Sequence, residues 1–237
     1  MVPVSFASFG FIDHEFALGT GGDAMRALYW AEERALLVAD LHLEKASFYA
    51  RTGQMLPPYD SRETLERVAF ALRMTGARRV FCLGDNFHDA AGPDRLDDHA
   101  TGMLSALTRA TDWVWITGNH DTKGAAPAIT LPGTHLVETT VAGVILRHEA
   151  QPGETRPELS GHFHPKLRVV HRGRAITRAC VVASESRMVL PAFGTLTGGL
   201  DAAAPAIRAA LAPSRIGDAL IPAAGRVARF PLWRVAA

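Results

Sequence analysis

Apolar residues in the first half of the chain are grouped into runs of strand length, and amphipathic stretches separate these runs. The runs Arg34–Ala39, Val80–Leu83 and Trp113–Ile116 predict buried strands. Residues 60–74 and 94–110 lie between them and carry apolar side chains at helical spacing, which predicts two helices. This strand–helix–strand–helix–strand order indicates a parallel sheet with crossover helices.

Two local patterns add detail to these elements. Asp60 and Glu63 have the spacing of a capping box, in which two side chains satisfy the free N–H groups at the start of a helix. Trp113 and Trp115 lie inside an apolar run, so we expect them in the core and not on a surface that stacks bases.

The helical pattern stops after residue 130, and short strand-like runs follow one another. The predicted strands are Val144–Leu146, Leu167–His171, Ala175–Val182 and Met188–Leu190. Arg172-Gly173 has turn character and predicts a hairpin. Residues 202–225, rich in alanine and proline, predict a short helix with loops. We expect one α/β domain over residues 1–237, with the motifs within about 34–195 and an Ala- and Arg-rich extension at 200–237.

Composition narrows the class of protein. The 237 residues are 48% hydrophobic, which is enough for a core that needs no covalent staple. The two cysteines, Cys82 and Cys180, fall in apolar runs and are expected to be packed thiols. No apolar run approaches the roughly 18 residues of a membrane span, and the first residues lack the basic start of a signal peptide. A cytoplasmic location is therefore expected.

The net charge of +1 hides an asymmetry between two parts of the chain. Residues 166–237 carry a net charge of +8, and residues 1–165 carry −7. Several cations of the basic part fall in the predicted hairpin, at Lys166, Arg168, Arg172, Arg174 and Arg178. They would suit the non-scissile part of a polyanion, and they would also suit a solvated strand face.

Five short polar clusters each follow a strand-like apolar run. They are Asp40-Leu-His42, Gly84-Asp85-Asn86-Phe87-His88-Asp89, Gly118-Asn119-His120-Asp121, Arg147-His148-Glu149 and Gly161-His162-Phe163-His164. The carboxyl ends of strands in an open α/β sheet converge on one crevice, so the clusters predict a single polar pocket.

Each cluster alone has a simpler explanation, because Asp, Asn and Gly form turns and a lone strand histidine is usually only hydrogen-bonded. Together they offer imidazole, carboxylate and amide oxygen without thiolate. That donor set suits divalent ions such as Mn²⁺, Fe²⁺ or Zn²⁺. The clusters therefore predict a divalent-metal site, and two such ions about 3.5–4 Å apart can clamp an in-line phosphoryl displacement.

The clusters, over about residues 34–170, resemble the D-x-H, G-D, G-N-H, lone His and G-H-x-H pattern of the calcineurin-like metallophosphoesterases. The resemblance implies a four-layer α/β/β/α sandwich with two sheets between helices. The metal ligands that it implies are Asp40, His42 and His164 for one ion, Asn119, His148 and His162 for the other, and Asp85 as a bridge. It also implies that His120, which is not a ligand, contacts the phosphate and assists the leaving oxygen as general acid.

A finer resemblance is to the bacterial ligase-associated DNA damage response endonucleases. The stretch LGDNFHD is similar to their G-D-S-F-H-D motif, with Asn86 in place of Ser, and LPAFGTLTGG at 190–199 is similar to their closing strand. This implies a second active-site histidine, His88; loop capping or orientation of Asp121 is the alternative for it. We expect Asp121 to fix the orientation of His120, and Asn86 and Asp89 to shape the loop.

The implied function is a Mn²⁺-dependent phosphodiesterase or endonuclease that acts in bacterial DNA repair beside an ATP-dependent DNA ligase, a helicase and an exonuclease. A small-molecule phosphodiesterase for cyclic nucleotides or nucleotide diesters is the alternative, because the metals contact only the scissile phosphate. The complete ligand set and His120 disfavour a non-catalytic scaffold. A homodimer is compatible with the sequence.

Overall fold

The computed structural model describes residues 6–20, 26–124, 129–171, 173–223 and 225–235. A first mixed sheet contains β1 (Phe6–Phe11), β2 (His14–Gly19), β3 (Leu28–Trp30), β4 (Ala35–Val38), β5 (Arg79–Leu83), β6 (Asp112–Ile116) and β7 (Thr134–Leu136), in that spatial order. Strands β1 to β4 are antiparallel neighbours, whereas β4 to β7 are parallel. The parallel part corresponds to the predicted strand–helix alternation.

A second mixed sheet follows in the chain. Its strands are β8 (Glu138–Val141), β9 (Val144–Arg147), β10 (Glu158–Ser160), β13 (Val181–Ala183), β14 (Arg187–Val189), β15 (Ile216–Ala223) and β16 (Arg226–Arg234). Their spatial order is β16-β15-β13-β14-β10-β9-β8, and only β14, β10 and β9 are parallel to one another. The intervening β11 (Lys166–His171) and β12 (Arg174–Ala179) form a separate two-stranded hairpin.

Three apolar clusters separate the layers. The largest lies between the two sheets and joins side chains such as Trp30, Leu37 and Leu83 to Leu146 and Met188. A second cluster packs the first sheet against the helices, which are α2 (Asp60–Thr75) and α3 (Asp98–Ala110). A third packs the second sheet against the short helix α4 (Pro205–Ala210). The expected α/β/β/α sandwich is confirmed, with a thin fourth layer.

Two shorter helical segments connect the first sheet to its helix layer. They are α1 (Lys45–Ala50) and a 3-10 turn at Pro93–Arg95. No helix in the described ranges is long and apolar enough to span a membrane.

Most strand predictions agree with the structure to within one residue, and both cysteines and both tryptophans are buried. The predicted strand Ala175–Val182 is wrong as a single element, because β12 ends at Ala179 and β13 belongs to the second sheet. The prediction of a helix with loops over 202–225 holds for α4 but misses β15. Strands β11 and β12 confirm the hairpin, although Arg172 of its predicted turn lies outside the described residues.

The predicted capping box is also wrong. Tyr59 is the N-cap of α2, with no side-chain cap hydrogen bond. The carboxylate of Asp60 instead accepts hydrogen bonds from the backbone N–H groups of Lys45 and Ala46, at 2.9 and 3.1 Å. Asp60 therefore ties the start of α1 to α2. The residue spacing within α2 gives no sign of this longer-range contact.

Candidate active site

The five predicted polar clusters meet at one edge of the molecule, where the parallel strands of both sheets end. Asp40 and His42 follow β4, Asp85 follows β5, Asn119 and His120 follow β6, His148 follows β9, and His162 and His164 follow β10. The first sheet thus supplies both carboxylates, and the second sheet supplies only imidazoles. The predicted convergence is confirmed for this part of the chain.

The backbone at these strand ends is strained. Asp40, His42, Asp85, His162 and His164 all have positive φ angles, between 44° and 71°. Residues other than glycine rarely adopt this region, and such outliers cluster at functional sites, where the surrounding structure holds them in place. Here the strain turns five side chains from three strand ends toward one point.

The first group of donor atoms consists of Asp40, His42 and His164. The Nε2 atoms of His42 and His164 face each other at 3.4 Å, and Asp40 Oδ1 lies 3.4 Å from His164 Nε2. Asp40 is completely buried and accepts hydrogen bonds from the backbone N–H of His162, at 2.9 and 3.1 Å to its two oxygens. A backbone group of the second sheet therefore fixes a carboxylate of the first.

The second group consists of Asp85, His148 and His162. His148 Nε2 lies 3.1 Å from His162 Nδ1 and 3.0 Å from the side-chain oxygen of Asn119. His148 Nδ1 is 3.1 Å from the carbonyl oxygen of Leu83, which can only accept, so Nδ1 carries the proton and Nε2 presents its lone pair. Asn119 thus joins this group as an amide oxygen.

Asp85 connects the two groups. Its Oδ2 lies 3.7 Å from His42 Nε2, and its Oδ1 lies 3.4 Å from His148 Nε2. Oδ1 also accepts a 2.7 Å hydrogen bond from the backbone N–H of His120. The carboxylate is buried, so it faces one histidine of each group from a fixed position.

These donors fit divalent cations. Ring nitrogens that face each other at 3.1–3.4 Å gain little from one another, whereas a cation between them would be shared by their lone pairs. Burial, with further contributions from His164 and His120, lowers the pKa of His42 to about 2. The imidazole is therefore neutral, as a metal ligand must be.

Two glycines of the predicted motifs permit this close approach. A Cβ atom on Gly118 would lie 2.0 Å from the backbone nitrogen of Asp85 and 2.4 Å from its Oδ1. A Cβ atom on Gly161 would lie 2.6 Å from Asp40 Oδ2. Each glycine makes room for the carboxylate of a different motif, which explains why glycine precedes Asn119 and His162.

His120 lies beside the first group without belonging to it. Its ring centroid is 4.9 Å from that of His42 and 5.0 Å from that of His88. His120 Nδ1 is 2.8 Å from the backbone carbonyl oxygen of His88, so Nδ1 carries a hydrogen and donates a hydrogen bond to that oxygen. Nε2 is left as the atom that can exchange a proton with a substrate.

Asp121 does not have the predicted contact with the ring of His120. Its carboxylate accepts hydrogen bonds from Asn86 Nδ2 and from the backbone N–H groups of Phe87 and Gly118, at 2.8–2.9 Å. The expectation that Asp121 orients His120 is therefore wrong, because the carbonyl of His88 occupies that position. Every residue has a backbone carbonyl, so the sequence could not reveal which one accepts the hydrogen bond from His120.

The neighbouring loop residues behave as expected. The side-chain amide of Asn86 also donates to the carbonyl of Ile116, at 2.8 Å, and the carboxylate of Asp89 pairs with Arg95. Both residues shape the loop and neither reaches the donor groups. Among the described residues, His88 Nδ1 is buried without a hydrogen-bond partner, which leaves that ring available to a ligand.

A cavity of about 430 Å³ opens beside His88 and His120. Its lining includes Phe48, Arg51 and Lys123. Burial, together with the charges of Lys45, His120 and Lys123, lowers the pKa of His88 to about 4, although Asp89 opposes this shift. Lys45 belongs to no predicted motif; its only sequence signal is its position three residues after His42.

Comparison with solved structures identifies the class. The crystal structure of the nuclease MPE of Pseudomonas putida is similar to this chain with a TM-score of 0.68 and 30% sequence identity, covering 95% of this chain and all of the other. YfcE, a phosphoesterase from E. coli, gives a TM-score of 0.36 at 13% identity, with 84% and 98% of the two chains covered. No family model and no curated protein matches the chain.

Sandwich fold, converging donor groups and the first of these similarities together define a metal-dependent phosphoesterase, which is a hydrolase. The chain belongs to the calcineurin-like metallophosphoesterases.

Proposed function

We propose that the chain is a two-metal phosphodiesterase that cleaves nucleic acid, with DNA as its substrate and Mn²⁺ as its ion. The position of Asp85 carries this proposal. Its two carboxylate oxygens face one histidine of each donor group, at 3.7 and 3.4 Å. A carboxylate in that position suits a pair of ions that share one ligand.

We assign the ligands as predicted. Asp40, His42 and His164 would hold one ion, Asn119, His148 and His162 would hold the other, and Asp85 would serve both. When bound, two divalent ions neutralise the charge that develops on the phosphoryl oxygens during displacement. The strained backbone and the hydrogen bonds to Asp40 and Asp85 hold the donors in place before an ion arrives.

His120 supplies the proton in this proposal. With its Nδ1–H committed to the carbonyl of His88, the ring can hold a second proton on Nε2 and hand it to the departing oxygen. His88 packs against it and lines the adjacent cavity. We place His88 in contact with the substrate beside the scissile bond.

The nucleic-acid substrate is supported by the nuclease of Pseudomonas putida, to which the chain is similar over its whole length. Action in DNA repair beside a ligase, a helicase and an exonuclease stays a prediction of the subfamily resemblance. The cytoplasmic location stays a prediction from composition, and a homodimer stays compatible with the sequence. We also propose that residues 1–237 form one domain. The extension at 200–237 supports this because it adds β15 and β16 to the second sheet.

The test is hydrolysis of single-stranded DNA and of bis(4-nitrophenyl) phosphate by the Mn²⁺-loaded protein, in parallel. Chelation of the metal and the Asp85→Asn substitution are the controls. We expect cleavage of both substrates and loss of both in each control. Cleavage of the chromogenic diester alone would favour a small nucleotide substrate, and cleavage of neither would contradict the proposal.

A further inference from the structure

The lysines of this chain are concentrated at the candidate active site. The sequence contains three lysines and twenty-two arginines. Lys45 follows His42 by three residues, Lys166 follows His164 by two, and Lys123 lines the cavity beside His88 and His120. A lysine ammonium is a compact charge that binds phosphate well, so these three positions suit a phosphate-containing ligand.

Lys45 and Lys166 lie on the His42–His164 side of the site. Among the described residues, neither ammonium group has a carboxylate within ion-pair distance, and both side chains are partly buried. Burial lowers the pKa of Lys45, and the charge of Lys166 lowers it further while Asp60 opposes the shift. Two neighbouring cations stabilise a bound anion, and Asp60 offsets only part of the charge of Lys45.

The loop after β14 fixes the position of Lys166. Its Nζ donates to the carbonyl of Thr197 at 3.2 Å, and its Cε would lie 3.1 Å from a Cβ atom on Gly199. Backbone hydrogen bonds join Lys166 N to the carbonyl of Leu200 and Ala202 N to the carbonyl of Lys166. The side chain is therefore held against this loop near the site.

The hairpin extends the row of cations away from the site. Lys166 and Arg168 alternate with Leu167 along β11 and so share one face, about 6.6 Å apart. Their directly paired neighbours on β12 are Ala179 and Thr177, which are small and uncharged. The sequence from 166 to 179 has no acidic residue. This face thus presents two cations, and Asp201, which forms an isolated β-bridge with Lys166, is the acidic residue at its start.

The opposite face of the hairpin differs. Leu167 packs on the outer apolar cluster, and its paired neighbour on β12 is Arg178. Arg174 lies on the same face as Arg178, four residues away along the strand. Both arginines are exposed, so they provide an internal control with the same charge and the same hairpin.

We propose that Lys45, Lys166 and Arg168 form a phosphate track that holds nucleotides flanking the cleaved bond on the His42–His164 side. The substrate is then a polynucleotide strand with several phosphates, and a diester with one phosphate uses only part of the site. The inference rests on the proposed nuclease function and specifies which surface binds the strand.

The test compares two double variants, Lys166→Gln with Arg168→Gln on the track face and Arg174→Gln with Arg178→Gln on the other. For each Mn²⁺-loaded protein, kcat/KM is measured on a single-stranded 20-mer and on bis(4-nitrophenyl) phosphate. We expect the track variant to lower the ratio of kcat/KM on the 20-mer to kcat/KM on the diester by about tenfold or more. The slope of log kcat/KM on the 20-mer against log salt concentration should become shallower by about 1.4, because each of two lost phosphate contacts on a single strand contributes about 0.7. The control variant should change the ratio less than about twofold.

Lys45→Gln should lower the same ratio, and Lys45→Arg should restore most of it, because the charge is retained. An equal fall in this ratio with both double variants would show that only the total charge of the hairpin matters, and would overturn the inference. An equal fall on both substrates would also overturn it, since the cations would then act on the scissile phosphate. A wild-type protein that cleaves the diester and not the 20-mer would contradict the proposed function itself.

Discussion

The two sheets contribute different chemistry to the site. Strands β4, β5 and β6 of the first sheet deliver both carboxylates of the donor groups, the amide of Asn119, and the imidazoles of His42 and His120. Strands β9 and β10 of the second sheet deliver the imidazoles of His148, His162 and His164. Each donor group takes members from both sheets. Neither sheet alone therefore carries a complete donor group, and the site exists only where the two sheets meet.

The carboxylates and the imidazoles of the site are held by different backbone groups. Asp40 and Asp85 are fixed by backbone N–H groups of His162 and His120. The imidazole of His148 is fixed by a backbone carbonyl of the first sheet. Hydrogen bonds across the seam between the sheets thus orient donors on both sides, which couples metal binding to the packing of the sheets.

The largest effect is expected at Asp85, because its two carboxylate oxygens face the Nε2 atoms of one histidine from each donor group. Asp85→Asn should release both ions and lower hydrolysis by more than the roughly 10–100-fold typical of a partner outside the ligand shell. His162→Ala, in the second sheet, should release about one ion per chain. Metal content after dialysis and hydrolysis of bis(4-nitrophenyl) phosphate measure both. Retention of both ions in Asp85→Asn would contradict the bridging position.

His120→Ala should come next, because its ring lies beside that of His42, one of the proposed ligands. Metal content should be unchanged, and DNA hydrolysis should fall on the order of 10²–10⁴-fold with the loss of general-acid help. The fall should be smaller on bis(4-nitrophenyl) phosphate, because nitrophenolate leaves without protonation. His99→Ala, an exposed histidine of α3, is the matched control. Loss of the metals, or an equal fall on both substrates, would argue against the acid role.

The sequence predicts the parallel strands β4, β5 and β6 of the first sheet and misses its strands β1, β2, β3 and β7, for a physical reason. Runs such as Val80–Leu83 are buried on both faces and alternate with long helices, so their period is clear. Strands β3, β7 and β10, which the sequence does not predict, have three residues each, which is too short for a period. The motif residues could be found because glycine and metal-ligand side chains follow each run. The role of the His88 carbonyl and the bond from Asp60 to α1 are long-range, and no local pattern encodes them.

Substitution of Asp121 tests whether this residue supports the loops of the first sheet without taking part in catalysis. Asp121→Ala would leave the N–H groups of Phe87 and Gly118 without their partner, and unfolding free energy should fall by about 1–3 kcal/mol. The rate should fall less than in His120→Ala, and the shape of the pH–rate profile should not change. Denaturant unfolding and the pH profile are the measurements, with the exposed Asp112→Ala as control. A changed profile would return Asp121 to the catalytic group.

The smallest effect on hydrolysis is expected in the helix layer of the first sheet, far from the seam. Asp97 is the N-cap of α3, and its Oδ1 accepts a 2.7 Å hydrogen bond from the backbone N–H of Ala100. Asp97→Ala should lower the unfolding free energy by about 1 kcal/mol. The rate per folded molecule and the metal content should stay at the wild-type level, because α3 packs on the face of the sheet that points away from the second sheet. A loss of metal in this variant would show that the donor groups depend on the outer layer as well as on the contact between the sheets.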